Sequence, residues 1–315
     1  MNISRLVALG CLGAVLILAP GVHADGKTIG AKATADDGKA VQRGHQIIGQ
    51  FRDLFNASDL DKLGELYTED ALLVDGPRKP PRGRQNVKRY LGGVVLSSGR
   101  VNRWHDVVYE LPNAAVVEWV HCYPRQTAAG TETFTLRGAD LFTFNSTGLV
   151  KRHDIYADDA LYKKKLTATA EACPGDTSAR VILGTDATDR DAAALLAGVW
   201  PHAPSAAHPK TAGAEKFEDF ALLDTPGSKK PDSRFYAAMF GSVVMGASAV
   251  RWSAGDTVIV QYTMQFPVDV PAQPSLGVPS IKRGAEIHAL DIVITENGSR
   301  RRRSYWNRAE AEKGP

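Results

Sequence analysis

Cysteine is scarce: the 315 residues hold only Cys11, Cys122 and Cys173. That excludes a scaffold built on disulfides, although Cys122 and Cys173 could still pair in an oxidising compartment. A surplus of one charge sign is missing too. The net charge of +3 is too small to draw the chain to nucleic acid, so no such partner is expected. Beyond Ala19 no apolar run is long enough to cross a bilayer. There is no G-x-S-x-G, no P-loop and no dinucleotide fingerprint, and His121, His202 and His208 lack metal-ligand spacing. Neither a nucleotide cofactor nor a metal is therefore expected. What is present is 43% apolar and 23% charged residues, the balance of a globular chain.

The first residues follow a separate logic. Arg5 precedes an apolar run from Leu6 to Ala19, which Pro20 ends before the small-residue site Val22-His23-Ala24. This is the layout of a cleaved secretory signal, residues 1–24, and it predicts an exported protein, periplasmic or secreted, with no membrane attachment after cleavage. A lipoprotein signal ending at Cys11 is disfavoured by the short apolar run before it.

The remaining chain repeats itself. "EDALLVDGP" (69–77) matches "EDFALLDTP" (218–226), and "YLGGVVL" (90–96) matches "MFGSVVM" (239–245). "NAAVVEWVHCYP" (113–124) then matches "DTVIVQYTMQFP" (256–267), and "RGADL" matches "RGAEI". Blocks that keep order and near-constant spacing indicate duplication. The expected organisation is a first domain over 35–160, a polar linker over 161–179 and a second, degenerate domain over 180–310.

In the first copy Ile47, Ile48, Phe51, Leu54 and Phe55 recur at helical spacing, predicting a helix over about 38–56. "NASDLDKLGELYTED" gives a turn and a second helix, with Ser58 and Asp61 placed as a capping box. "ALLVDG" is a short strand and "RQNVKRYLGGVVL" a third helix. From Arg100 the pattern alternates, with turns at 112–113, 127–130 and 145–148, which reads as a strand meander. The fold class is α+β: two tandem cone-shaped domains, each a curved antiparallel sheet with helices on one face. In the second copy "DRDAAALLAGVW" supplies the first helix, while Pro201, Pro204 and Pro209 forbid the second.

One strand carries an oddity. In "RGADLFTFNSTGLVKRHD" (137–154) Asp140 shares a face with Phe142 and Phe144, where desolvation penalises its charge. If that face lines a pocket, burial raises the pKa of Asp140 and lets the neutral acid donate a hydrogen bond. Asp75, at a strand end beside Gly76 and Pro77, is placed to remain ionised as a base. His153 alternates with Lys151 and Ile155 and is the third candidate. The plainer readings stay open: a turn cap for Asp75, a solvent-facing edge position for Asp140 or its pairing with Arg137 or Arg152, a half-buried place for His153, an arginine partner for Glu118, and a solvated run for Arg300–Arg303.

The order helix, "NASDLD" turn, helix, "LYTEDALLVDGP", basic loop, helix and strands ending "RGADLFTFNSTGLVKRHDIY" resembles the nuclear transport factor 2-like superfamily. Within it, the ketosteroid isomerase and SnoaL-like polyketide cyclase branch is the nearest pattern. The resemblance implies Asp75 as the base and Asp140 as the second acid. It places Phe51 where that family carries a tyrosine hydroxyl. Phe51, Glu118, Phe142, Tyr90 and Trp104 are then expected to contact substrate, and Asp224 and Glu286 to be the second-copy equivalents. It also implies that Val116, Glu118 and Val120 face into the cone. Trp119, Tyr123, Tyr262 and Phe266 would pack the outer faces of the two sheets into a dimer within one chain, with a homodimer as a further possibility.

Three functions follow. The first is an exported, cofactor-independent acid/base enzyme acting on a small, largely apolar polyketide, terpenoid or steroid-like molecule. The second is an epoxide-opening hydrolase or cyclase of the polyether type using the same aspartates. The third is a non-catalytic module that binds a small molecule or assembles with a partner.

Overall fold

A computed structural model describes the chain within residues 35–157, 179–186, 216–219, 244–245, 250–272 and 280–310, apart from Pro77, 98–101, 129, 297–298 and 308–309. The expected leader, the helix over "DRDAAALLAGVW" and Asp224 lie outside the described residues.

Helix α1 (Ala35–Ala57) presents Ile47, Ile48, Phe51 and Phe55 to the core, the stripe that its 3.6-residue period demands. Helix α2 (Leu60–Glu65) is capped by Asp59, whose carboxylate accepts from the Lys62 amide at 3.2 Å. The expected capping box at Ser58 and Asp61 is thus displaced by one residue, because Ser58 takes a left-handed turn conformation (φ 58°) and cannot serve as the cap. Strand β1 (Tyr67–Asp75) and helix α3 (Arg84–Ser97) follow. The meander is β2 (Asn102–Leu111), β3 (Ala114–Thr127), β4 (Gly130–Phe144) and β5 (Val150–Tyr156).

With β6 (Arg180–Leu183) these strands form one sheet in the order β1-β5-β4-β3-β2-β6, with β1 parallel to β5. The later strands are β7 (Thr185–Asp186), β8 (Lys216–Asp219), β9 (Val244–Met245), β10 (Val250–Ala254), β11 (Thr257–Gln265), β12 (Glu286–Glu296) and β13 (Ser299–Trp306). Their sheet runs β7-β10-β11-β12-β13-β8, with β8 parallel to β13 and β9 pairing β11. The succession of a parallel edge pair and then three antiparallel neighbours is the same in both sheets.

Each face of the first sheet has its own partner. Ala115, Val117, Trp119, Leu136, Phe142 and Phe144 pack under the three helices. Val107, Tyr109, Val116, Leu141 and Tyr156 pack on Trp252, Ile259, Leu290, Ile292 and Tyr305 of the second sheet. This reverses the expected facing. Trp119 is buried beneath the helices, whereas Val116 and Glu118 point at the second sheet. Alternation fixes that two neighbours take opposite faces but not which face is which, and here the wider aromatic surface went to the helices. Cys122 is buried and disulfide-bonded.

Candidate functional site

Asp75 ends β1 and pairs with Ile155 of β5, which pairs with Asp140 of β4, which pairs with Val117 of β3. Residues directly opposite across neighbouring strands share a face, so both carboxylates sit on the helix-covered side. Two strand spacings separate their backbones by about 10 Å. Their surroundings differ sharply.

Asp140 has no exposed surface. Arg103 Nη2 lies 2.5 Å from its Oδ2, the Trp119 indole donates to Oδ1 at 2.7 Å, and His153 Nε2 lies 2.9 Å from Oδ2. The other imidazole nitrogen, Nδ1, shares a 2.8 Å hydrogen bond with the Tyr67 hydroxyl. Burial alone would raise the pKa of Asp140, but Arg103, then His153 and the Trp119 hydrogen bond, outweigh it and hold the carboxyl well below the usual carboxylate range. The expected neutral acid is therefore corrected: Asp140 is an ionised member of a buried pair. The sequence could not show this, because its cation comes from β2 and neither Arg137 nor Arg152 supplies it. Arg137 faces Asp106 at 3.8 Å, and Arg152 binds Asp154 at 2.7 Å.

Arg103 organises this centre. Its guanidinium lies 5.1 Å from the Phe51 ring centroid and 4.9 Å from that of Trp119, within cation–π range. Its Nε donates to His105 Nε2 at 3.2 Å, and Asn56 at the end of α1 clamps its backbone at 2.7 and 2.9 Å. Burial, and then the Arg103 charge, push the pKa of His105 and of His121 far down, so both imidazoles stay neutral. The signal for Arg103 and His105 was the R-x-H spacing on β2, which puts both on one strand face. Trp119 and Tyr67 carried no signal of their own.

Phe51 and Phe142 are fully buried and meet edge to face at 5.2 Å, while His153 stacks on Phe142 at 4.1 Å. The two phenylalanines were expected to line a pocket; they fill the space around Asp140 instead. Trp104 pairs with Val120 and points away from the Arg103 face, so it is not a wall of this site. Glu118 also leaves the cone: between the sheets it meets Arg303 at 2.9 Å, Tyr109 at 3.3 Å and the Tyr305 hydroxyl. Burial raises its pKa against the pull of Arg303.

Asp75 lies at the edge of this packed region. The Tyr90 hydroxyl of α3 donates to Asp75 Oδ2, and Arg78 Nη1 donates to the same hydroxyl at 2.7 Å while lying 3.8 Å from the carboxylate. Burial, and then the Asp75 charge, raise the Tyr90 pKa, so the phenol keeps its proton. Gly76 follows with φ 56°, and a Cβ there would strike the Asn307 side chain, so a glycine is needed on both counts. Tyr90 is also one wall of an open cleft of about 560 Å³, lined by Lys79, Pro80, Pro81, Arg82, Asn86, Arg89 and Tyr90.

In the second sheet Glu286 does not take the place expected of it: it is exposed and accepts from Gln265 at 3.0 Å. Asp291 holds the position instead. It pairs with Val260 as Asp140 pairs with Val117, and it is bound by Arg302 Nη2 at 2.5 Å and by the Ser304 hydroxyl. Matching the RGA triplets slipped the register, because five further residues separate the second triplet from the buried acid of its sheet. Arg302 and Arg303, read as a solvated run, are buried on opposite strand faces with one carboxylate each.

Residues 48–153, which run from α1 to β5 through an α+β arrangement of helices and strands, match the family model of the SnoaL-like domain. No curated protein matches the chain. Among solved structures the chain is similar to the epoxide hydrolase/cyclase-like enzyme SalBIII of pyran ring formation in polyether salinomycin, at 16% identity, covering 38% of this chain and 93% of that one, TM-score 0.33. It is also similar to a putative polyketide cyclase from Xanthomonas campestris pv. campestris, at 20% identity over 39% and 96%, TM-score 0.34. A third is an NTF2-like protein of unknown function from Exiguobacterium, at 21% identity over 36% and 98%, TM-score 0.31.

Proposed function

We propose that the SnoaL-like domain is an acid/base enzyme of the isomerase or cyclase kind, acting on a small, largely apolar molecule with Asp75 as its base. One observation carries this reading: Asp75 is the acid of the pair that is hydrogen-bonded to a residue lining an open cleft, Tyr90. Asp140, sealed and ionised, positions β2, β3 and β5 rather than meeting substrate.

In the proposed step the Asp75 carboxylate takes a proton from carbon beside a carbonyl. The C–H electron pair passes into the new double bond and charge collects on oxygen. Arg78 and the protonated Tyr90 are the nearby donors for that oxygen. Returning the proton to a different carbon completes an isomerisation with no oxidant or reductant. Asp75→Asn should lower kcat by roughly 10²–10⁴ on an active enolisable ketone or epoxy alcohol, with ligand affinity retained. Unchanged turnover would reject the assignment.

A non-catalytic binding role is the second reading, favoured by the filling of the cone around Asp140 by Phe51 and Phe142. It predicts tight retention of a small molecule without turnover in any such panel. Export remains part of the proposal, and the disulfide at Cys122 supports it. The matching strand succession of the two sheets supports duplication of one domain.

A further inference from the structure

The cleft beside Tyr90 has an uneven electrical character. Lys79, Arg82 and Arg89 line it. Among the described residues, other cations of this region are matched to acids: Arg84 with Glu69 at 2.7 Å, Lys88 with Asp61, and Lys62 with Asp59 at 3.0 Å. On α3 the contrast is sharpest, since Arg84 and Lys88 each hold a carboxylate while Arg89, among the described residues, reaches only the Asn86 amide oxygen at 3.0 Å. No acidic side chain belongs to the lining. Pro80, Pro81 and the Tyr90 ring supply an apolar wall among these charges.

We infer that this cleft holds the anionic group of an amphipathic small molecule, a carboxylate or a phosphate monoester, whose apolar body lies against Pro80, Pro81 and Tyr90. The inference rests on the functional reading above and gives its substrate a chemical class: apolar and singly headed by an anion. The volume, about 560 Å³, suits a ligand of that size, since small-molecule sites span roughly 300–1,000 Å³. Guanidinium groups that hold no carboxylate among the described residues raise the local concentration of anions in a concave wall and fix their orientation through forked hydrogen bonds. The apolar end would lie against Tyr90, which puts the reacting carbon near Asp75.

The test is calorimetric titration of the full chain with phenylbutyrate, phenylbutyl phosphate and phenylbutanol, which share a body and differ in head group. The two anions, or one of them, should bind at least about tenfold more tightly than the alcohol, with affinity falling as salt rises. The anion that binds identifies the head group. In the Lys79→Gln/Arg89→Gln double variant the preference should shrink by about tenfold, and the melting temperature should stay near that of the parent because both side chains are exposed. Equal affinity for all three probes, or an anion preference that survives the double variant, overturns the inference. Asp75→Asn separates the two proposals. Loss of turnover with alcohol-like binding sinks the anion site alone; an intact anion preference with turnover untouched sinks the base alone.

Discussion

Asp140 and Asp291 occupy the same place in their two sheets. Each lies opposite a valine, Val117 or Val260, and each is met by a buried arginine at 2.5 Å. An aromatic side chain of the neighbouring strand approaches each acid as well: the Trp119 indole donates to Asp140, and the charge of Asp291 raises the pKa of Tyr262, after burial itself. The arginines differ in origin, Arg103 coming from β2 and Arg302 from β13, the strand equivalent to the one that carries His153.

Breaking the first pair should be costly. Arg103→Met leaves Asp140 buried without its cation, and urea unfolding should report a loss of about 3–5 kcal/mol. The pH dependence has a definite sign. Asp140 has a folded pKa below its unfolded value, so its contribution is present above about pH 4 and is lost as pH falls from there through the folded pKa. The stability difference between the parent and Asp140→Asn should therefore be constant near neutrality and shrink below about pH 4.

His121 acts in a different window. It stacks on Trp119 at 4.1 Å and its folded pKa is depressed. The unfolded chain takes up a proton that the folded chain refuses, so stability falls as pH drops below about 6.5. His121→Phe keeps the stacking surface and removes that proton. Thermal melts between about pH 7 and 5 should show a flatter profile for this variant than for the parent.

Gly138 gives a steric test. A Cβ at this position would lie 2.3 Å from the Trp119 ring, so Gly138→Ala must displace the indole. Trp119 then loses its bond to Asp140, and the combined overpacking and lost hydrogen bond should cost about 2–4 kcal/mol in chemical denaturation. The displaced indole should also change tryptophan fluorescence in the folded state.

Glu118 and Arg303 join the two sheets across their shared apolar layer. Glu118→Gln and Arg303→Met should each destabilise by about 3 kcal/mol, and the double variant by clearly less than the sum. A double-mutant cycle in urea measures the coupling. Additive losses would mean that the two side chains act independently.

The residues that made the elements legible were those whose signal is local. The helical stripe from Ile47 to Phe55 and the turns at 112–113 and 145–148 set the succession of helices and strands. The aspartates were also visible, because a charge in line with Phe142 and Phe144 is anomalous on any strand. Their states were not visible. Whether Asp140 is neutral or ionised depends on Arg103, a residue 37 positions away that only sheet pairing brings near. The facing of Trp119 and Glu118 was undecidable for a related reason, since both faces of this sheet are covered and neither reads as polar. Glu286 failed as the counterpart of Asp140 because a short matching triplet is a weaker guide than cross-strand register.

The layer between the sheets bears on how this protein can be handled. The face of the first sheet that meets the second carries Tyr109, Val116 and Leu141 around a carboxylate whose cation belongs to the other half. A fragment trimmed to residues 35–160 would present a bare greasy sheet with a lone acid at its centre. Such a piece is expected to stick to itself, so work on the cleft beside Tyr90 requires both halves in one polypeptide.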